Sequence, residues 1–143
     1  MLLIERVAAL HRVPIFAELY EHTLAEIAQI VEEVTFEPGE EIIREGAMED
    51  WMFVLVDGRV QIDIGGVEIS ILEPGAAFGE LAILDPAPRA ATVTALESSL
   101  LFRIGHQPFR DVMHEQPEVM AALLVMLTRM LRASRNMPSA PLE

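Results

Sequence analysis

Cysteine is absent from the chain, which excludes disulfides and thiolate metal sites. Positive charge is scarce. Ten basic residues stand against 23 acidic ones, a net charge of −13 and the wrong sign for a nucleic-acid binder. Long apolar runs are missing as well. The longest, residues 119–127, spans nine residues, where a membrane-crossing helix needs about 20. The first ten residues are interrupted by Glu5 and Arg6 before a secretory core could form. The four histidines, His11, His22, His106 and His114, show no metal-ligand spacing. No nucleophile–base constellation is visible, so the sequence makes no case for an enzyme. A cytoplasmic location is the expectation.

What remains is strongly apolar, 52% by composition with a mean hydropathy of +0.34. In 143 residues that is enough for one domain with a real core, and the excess points to a buried protein–protein surface. Leu3, Val7 and Leu10 recur at helical spacing. After Pro14, Thr23 and Glu26 form a Thr-x-x-Glu capping pattern that predicts a second helix over residues 23–33. From Val34 to Ile104 the period becomes two, with turn pairs at Pro38-Gly39, Asp57-Gly58, Gly65-Gly66 and Pro74-Gly75. Helical spacing then returns, with Pro117 opening a last helix whose stripes are Val119, Leu123, Met126, Met130 and Leu124, Leu127, Leu131. One face is expected to cover the sheet and the other a second copy of the chain. The reading is a mainly β domain over residues 1–136. Helices occupy 1–33, an antiparallel β-roll or jelly roll 34–104, and two closing helices 105–136, with a tail at 137–143.

The segment 78–95, FGELAILDPAPRAATVTA, carries the chemistry. Gly79 permits close backbone approach. Residues 80–84 are long enough for one helical turn, whose free amides suit an anion. Arg89 can offer two parallel hydrogen bonds to phosphate oxygens, and the small Ala90 and Ala91 leave their amides accessible. Glu80, acceptor-only when ionised, suits a sugar hydroxyl. The set asks for one compact anion beside a hydroxyl, a demand that a cyclic nucleotide meets. The bland alternatives are a surface pair between Arg89 and Asp85, and a Glu80 that merely favours a helix start.

In register, Phe-Gly-Glu-Leu-Ala at 78–82 and Arg-Ala-Ala-Thr-Val-Thr-Ala at 89–95 resemble the phosphate-binding cassette of the cyclic nucleotide-binding domain family. That family includes regulatory subunits of protein kinase A, catabolite activator-type proteins and cyclic-nucleotide-gated channels. The resemblance implies that Glu80 accepts from the ribose 2′-hydroxyl and that Arg89 pairs with the cyclic phosphate. It implies a cradle of backbone amides around Leu81, Ala82 and Ala91, and a pocket lined by Ile62, Ile69 and Phe78. Ala90 leans towards cAMP over cGMP. For the base lid it leaves two options open on the last helix, Ser134 with Arg135, or Arg129 with Arg132. The implied function is a ligand-sensing regulatory module that transmits occupancy through its C-terminal helices. Its partners would be the nucleotide and either a second copy or an effector module, with no cofactor, no nucleic acid, no membrane insertion and no appended helix-turn-helix. The rival reading is a β-roll that binds no nucleotide and serves interaction or dimerisation.

Overall fold

The computed structural model describes residues 1–135. Two helices open the chain, α1 (Leu3–His11) and α2 (Glu21–Ile30). Ten strands follow: β1 (Glu32–Phe36), β2 (Glu41–Ile43), β3 (Met48–Glu49), β4 (Trp51–Asp57), β5 (Val60–Ile64), β6 (Val67–Leu72), β7 (Ala77–Phe78), β8 (Ala87–Pro88), β9 (Thr92–Ala95) and β10 (Ser99–Gly105). A short helix, α3 (Glu80–Leu84), lies between β7 and β8, and α4 (His106–Glu115) and α5 (Pro117–Arg135) close the chain. The strands form two antiparallel four-stranded sheets, β1-β10-β4-β7 and β2-β9-β5-β6, with a small β3-β8 pair. This is an antiparallel β-roll flanked by helices at both ends.

The first sheet is buried on both faces, which explains why residues 52–55 read as a continuous apolar run and not as an alternation. Met52 and Val54 of β4, with Phe102 and Ile104 of β10, enter a core shared with α1, α2, α4 and α5. Phe53, Leu55 and Leu101 point the other way, into a second core against Val60, Val93 and Ile43 of the opposite sheet. Outside these cores, Arg6 ties α1 to the helix–sheet junction, donating to Glu33 Oε2 (2.8 and 3.1 Å) and to the Ala28 carbonyl (3.1 Å). Among the described residues no helix is long and apolar enough to cross a membrane.

Two local expectations change. The second helix starts at Glu21, not Thr23, and the Thr-x-x-Glu cap does not form. Thr23 is fully buried, and its hydroxyl donates instead to Gln116 at 3.4 Å, so tertiary packing takes the residue from local capping. The strand region begins at Glu32, two residues earlier than the periodicity suggested. The last helix buries Val119 and Leu123 in the core that Met52, Val54, Phe102 and Ile104 of the first sheet share with the other helices, and it also lies along α4 and residues 14–19.

The β4–β5 turn depends on a glycine. Gly58 has φ +105°, and a Cβ there would meet Ser99 Oγ at 2.2 Å and Ser99 Cα at 2.7 Å. Gly58→Ala is expected to destabilise the fold by about 1–3 kcal/mol, read as a lower urea midpoint. An unchanged midpoint would mean that the turn yields without cost.

Candidate functional site

Residues 77–95 form the connection between the sheets, and each functional side chain is placed by a different anchor. Phe78 is buried in the inter-sheet core, where its ring stacks on Phe53 with centroids 5.5 Å apart. Gly79 follows as the N-cap of α3 in the left-handed region, φ 75°. Ala82 and Ile83 pin α3 down, Ile83 within the helical core. The Nδ1 atom of His106, at the start of α4, bonds to the Ile83 carbonyl. The β3-β8 pair then matches Met48 with Pro88 and Glu49 with Ala87, which brings Arg89 out beside Glu49.

Arg89 lies inside the protein, its side chain only 5% exposed. Its Nε donates to Glu49 Oε1 at 3.1 Å, Nη1 to the Gly79 carbonyl at 3.4 Å, and Nη2 to the Trp51 carbonyl. The surface pair with Asp85 is therefore not formed; Asp85 is exposed and Glu49 is the counterion. A guanidinium has five N–H donors. Three are engaged here, which leaves one on each Nη for an incoming anion. Gly79 is needed for this arrangement twice over, for its φ and because a Cβ would sit 2.8 Å from Arg89 Nη1. Trp51 is further held by Arg103, whose guanidinium carbon stands 5.0 Å from its ring centroid.

Beside this cation is a cavity of about 300 Å³, at the small end for a metabolite site. Of the expected residues, Ile62, Phe78, Gly79, Glu80, Leu81, Ala82, Arg89, Ala90 and Ala91 line it. Its apolar floor includes a cross-strand row, Ile43↔Val93↔Ile62, running over β2, β9 and β5. Ile43 and Val93 escaped the sequence reading because only strand pairing sets them beside Ile62. Glu80 reaches the cavity with Oε2 shielded from solvent and without a hydrogen-bond partner. Burial pushes its carboxyl above the ordinary 4.5, partly offset by its own backbone amide.

The structure places three sets of the expected residues away from the cavity or its free donors. Ile69 does not line the cavity: a register shift at Ile62/Asp63 matches Ile62 with Ser70, and Ile69 is left 57% exposed. The Ala82 amide is taken by the Gly79 carbonyl at 3.2 Å, so it is not free for an anion. None of the lid candidates reaches the cavity. Arg129 lines a separate groove between α5 and residues 14–19, and Arg132, Ser134 and Arg135 follow it along α5. Val119 and Leu123 anchor α5 in the core that the helices share with the first sheet, and Arg129 lies on the groove side of that helix. Residues 136–143, including the expected tail, lie outside the described residues.

A family profile described as "Cyclic nucleotide-binding domain" matches residues 33–116. The chain belongs to the cyclic nucleotide-binding domain family. It is 33% identical over 99 residues to a cAMP-dependent protein kinase regulatory subunit of Yarrowia lipolytica, a match covering 69% of this chain and 26% of that protein. It is 42% identical over 72 residues to a cGMP-dependent protein kinase of Toxoplasma gondii, covering 50% and 7%. The matches thus span about a quarter or less of these two relatives. Among solved structures, the N-terminal domain of a transcriptional regulator from Streptomyces coelicolor superposes with a TM-score of 0.80 at 32% identity, covering 90% of this chain and 93% of that one. The regulatory domain of Toxoplasma gondii PKA, solved with cAMP, gives 0.70 at 31% identity, covering 77% and 44%.

In this cyclic nucleotide-binding domain, the buried carboxyl of Glu80 has a consequence for stability. Its folded-state pKa lies above the unfolded value of about 4.5, so its contribution is most favourable below that pH and is lost as pH rises through the folded value. Glu80→Gln should therefore melt higher than the parent at neutral pH without ligand, with the gap closing towards about pH 4. A gap that widens on acidification would show that the carboxylate is stabilised in the empty pocket.

Proposed function

We propose that this domain is a cAMP sensor whose occupancy is transmitted through α4 and α5. The observation that carries the reading is Arg89, buried and counterbalanced by Glu49, yet keeping an N–H on each Nη beside a cavity that also holds the unpartnered Glu80 Oε2. The cyclic phosphate takes the two free guanidinium donors, assisted by the amides of Leu81 and Ala91. The ribose 2′-hydroxyl donates to Glu80 Oε2, and the base lies towards the exposed Leu81. Ala90, with no hydroxyl to offer a guanine amino group, supports cAMP over cGMP. The relatives lend support on both sides, since one is named for cAMP and the other for cGMP.

The route of transmission is packing. Ile83 of α3 shares one core with Phe109, Val112, Val119 and Leu123 of α4 and α5, and its carbonyl is tied to His106. A cassette that shifts when Arg89 takes up the phosphate therefore disturbs the seating of both closing helices. Output then passes to a second copy. Met120, Leu124, Leu127 and Leu131 follow each other at intervals of four, three and four residues, the spacing of a coiled-coil seam. Leu124 and Leu131 are 60% and 52% exposed.

Calorimetric titration of nucleotide-free protein is expected to give tighter binding of cAMP than of cGMP, with a matching rise in melting temperature. No heat and no thermal shift with millimolar nucleotide would refute the sensor and leave the interaction-domain reading. Arg89→Ala should weaken cAMP by about two to four decades, from the roughly 3–5 kcal/mol cost of removing one partner of a buried charge pair. The double variant Leu124→Glu, Leu131→Glu should sediment as a monomer where the parent is a dimer; a dimer that survives moves the contact off α5.

A further inference from the structure

Among the described residues, Glu80 is the one acid with a buried carboxyl oxygen that lacks a hydrogen-bond partner. Arg89 lines the same cavity, but its charge is already shared with Glu49 at 3.1 Å, and among the described residues Glu80 forms no ion pair. The other charged residue on the cavity wall, Asp85, is exposed. From α4, His106 is held on the Ile83 carbonyl. The charged residue of β4, Asp57, lies at the far end of that strand, bonded to the Gly58 amide at 3.1 Å. Among the described residues no donor reaches Oε2, and the one compensation for a negative charge on the carboxyl is the backbone amide of Glu80 itself.

We propose that nucleotide capture is coupled to proton release: Glu80 holds a proton in the empty pocket and gives it up to solvent when a ribose hydroxyl donates to Oε2. The proposal rests on the cyclic-nucleotide reading above and adds a dependence on pH to the same site. Burial without a partner disfavours the carboxylate, and the direction of the Glu80 shift agrees. A hydroxyl donating to an ionised oxygen reverses the preference, because hydrogen bonding to the charged form stabilises that form. The incoming phosphate pushes the other way, but it is held on the Nη donors of Arg89, while the hydroxyl bond to Oε2 is direct. The empty state therefore binds more protons than the occupied one, and affinity rises with pH across the interval between the two Glu80 pKa values. The domain would read cAMP and acidity together, and a given nucleotide concentration would occupy it less in an acidified compartment.

The test is calorimetry with cAMP from about pH 5 to pH 7.5, repeated in two buffers of different ionisation enthalpy. Affinity should fall on acidification, by up to about tenfold per pH unit, and the buffer comparison should show release of a fraction of a proton. Two controls isolate the carboxyl from the neighbouring imidazole of His106. 2′-Deoxy-cAMP brings no hydroxyl, and Glu80→Gln has no proton to lose; both should bind more weakly and with a flat pH profile. Equal affinity of cAMP at every pH, proton uptake on binding, or an undiminished slope in Glu80→Gln would overturn the coupling while leaving the sensor intact. Absence of cAMP binding at every pH would instead overturn the sensor reading on which the coupling rests.

Discussion

The site depends on keeping one guanidinium inside an acidic protein. Burying a charge is costly unless it is paired and hydrogen-bonded, and Arg89 is both, through Glu49 and the carbonyls of Gly79 and Trp51. These partners come from β3, the N-cap of α3 and β4, elements that the chain must bring together first. The β3-β8 pair has two residues in each strand, yet it sets the register that delivers Arg89 to Glu49. The arginine is thus a product of the fold as much as a ligand group. Three hydrogen bonds fix its orientation, and two N–H donors are left over.

The second constraint is that the first sheet serves two cores. Side chains on alternate positions of β4 and β10 face the helices on one side and the opposite sheet on the other. Phe78 and Ile83, five residues apart, carry the same division into the cassette, one in each core. A cassette rooted in both cores cannot move without being felt in each. Ile83 thereby sets the cassette in the same packed core as residues of α4 and α5. The pocket's two polar groups differ in kind. Arg89 has three of its donors engaged within the protein, whereas Glu80 Oε2 has no partner among the described residues.

Much of this was legible in the sequence because local chemistry left few choices. Period-two apolar residues between glycine turns gave the roll, and the Gly79, Glu80 and Arg89 set gave the ligand class. The misses have a common cause in tertiary competition. Thr23 looks like a cap and is instead a buried donor to Gln116. Ile69 alternates correctly with Val67 and Ile71, but a one-residue register shift sends it out of the pocket. The apolar stripes of α5 show that the helix buries a face without showing which surface receives it. The arginines placed over the base belong instead to a helix packed on other helices.

The sequence alone determined which groups could meet a cyclic nucleotide: a glycine where only glycine fits, one carboxylate, one guanidinium and two alanines within a short loop. It could do so because these requirements are local in backbone conformation and functional-group chemistry. Tertiary structure decided that Glu49 is the counterion of Arg89, that Ile43 and Val93 complete the floor, and that Glu80 Oε2 has no partner. It also decided that no described residue of α5 lines the cavity. Those facts depend on strand register and on which buried surface wins each helix face, and both are set by contacts between residues far apart in the chain.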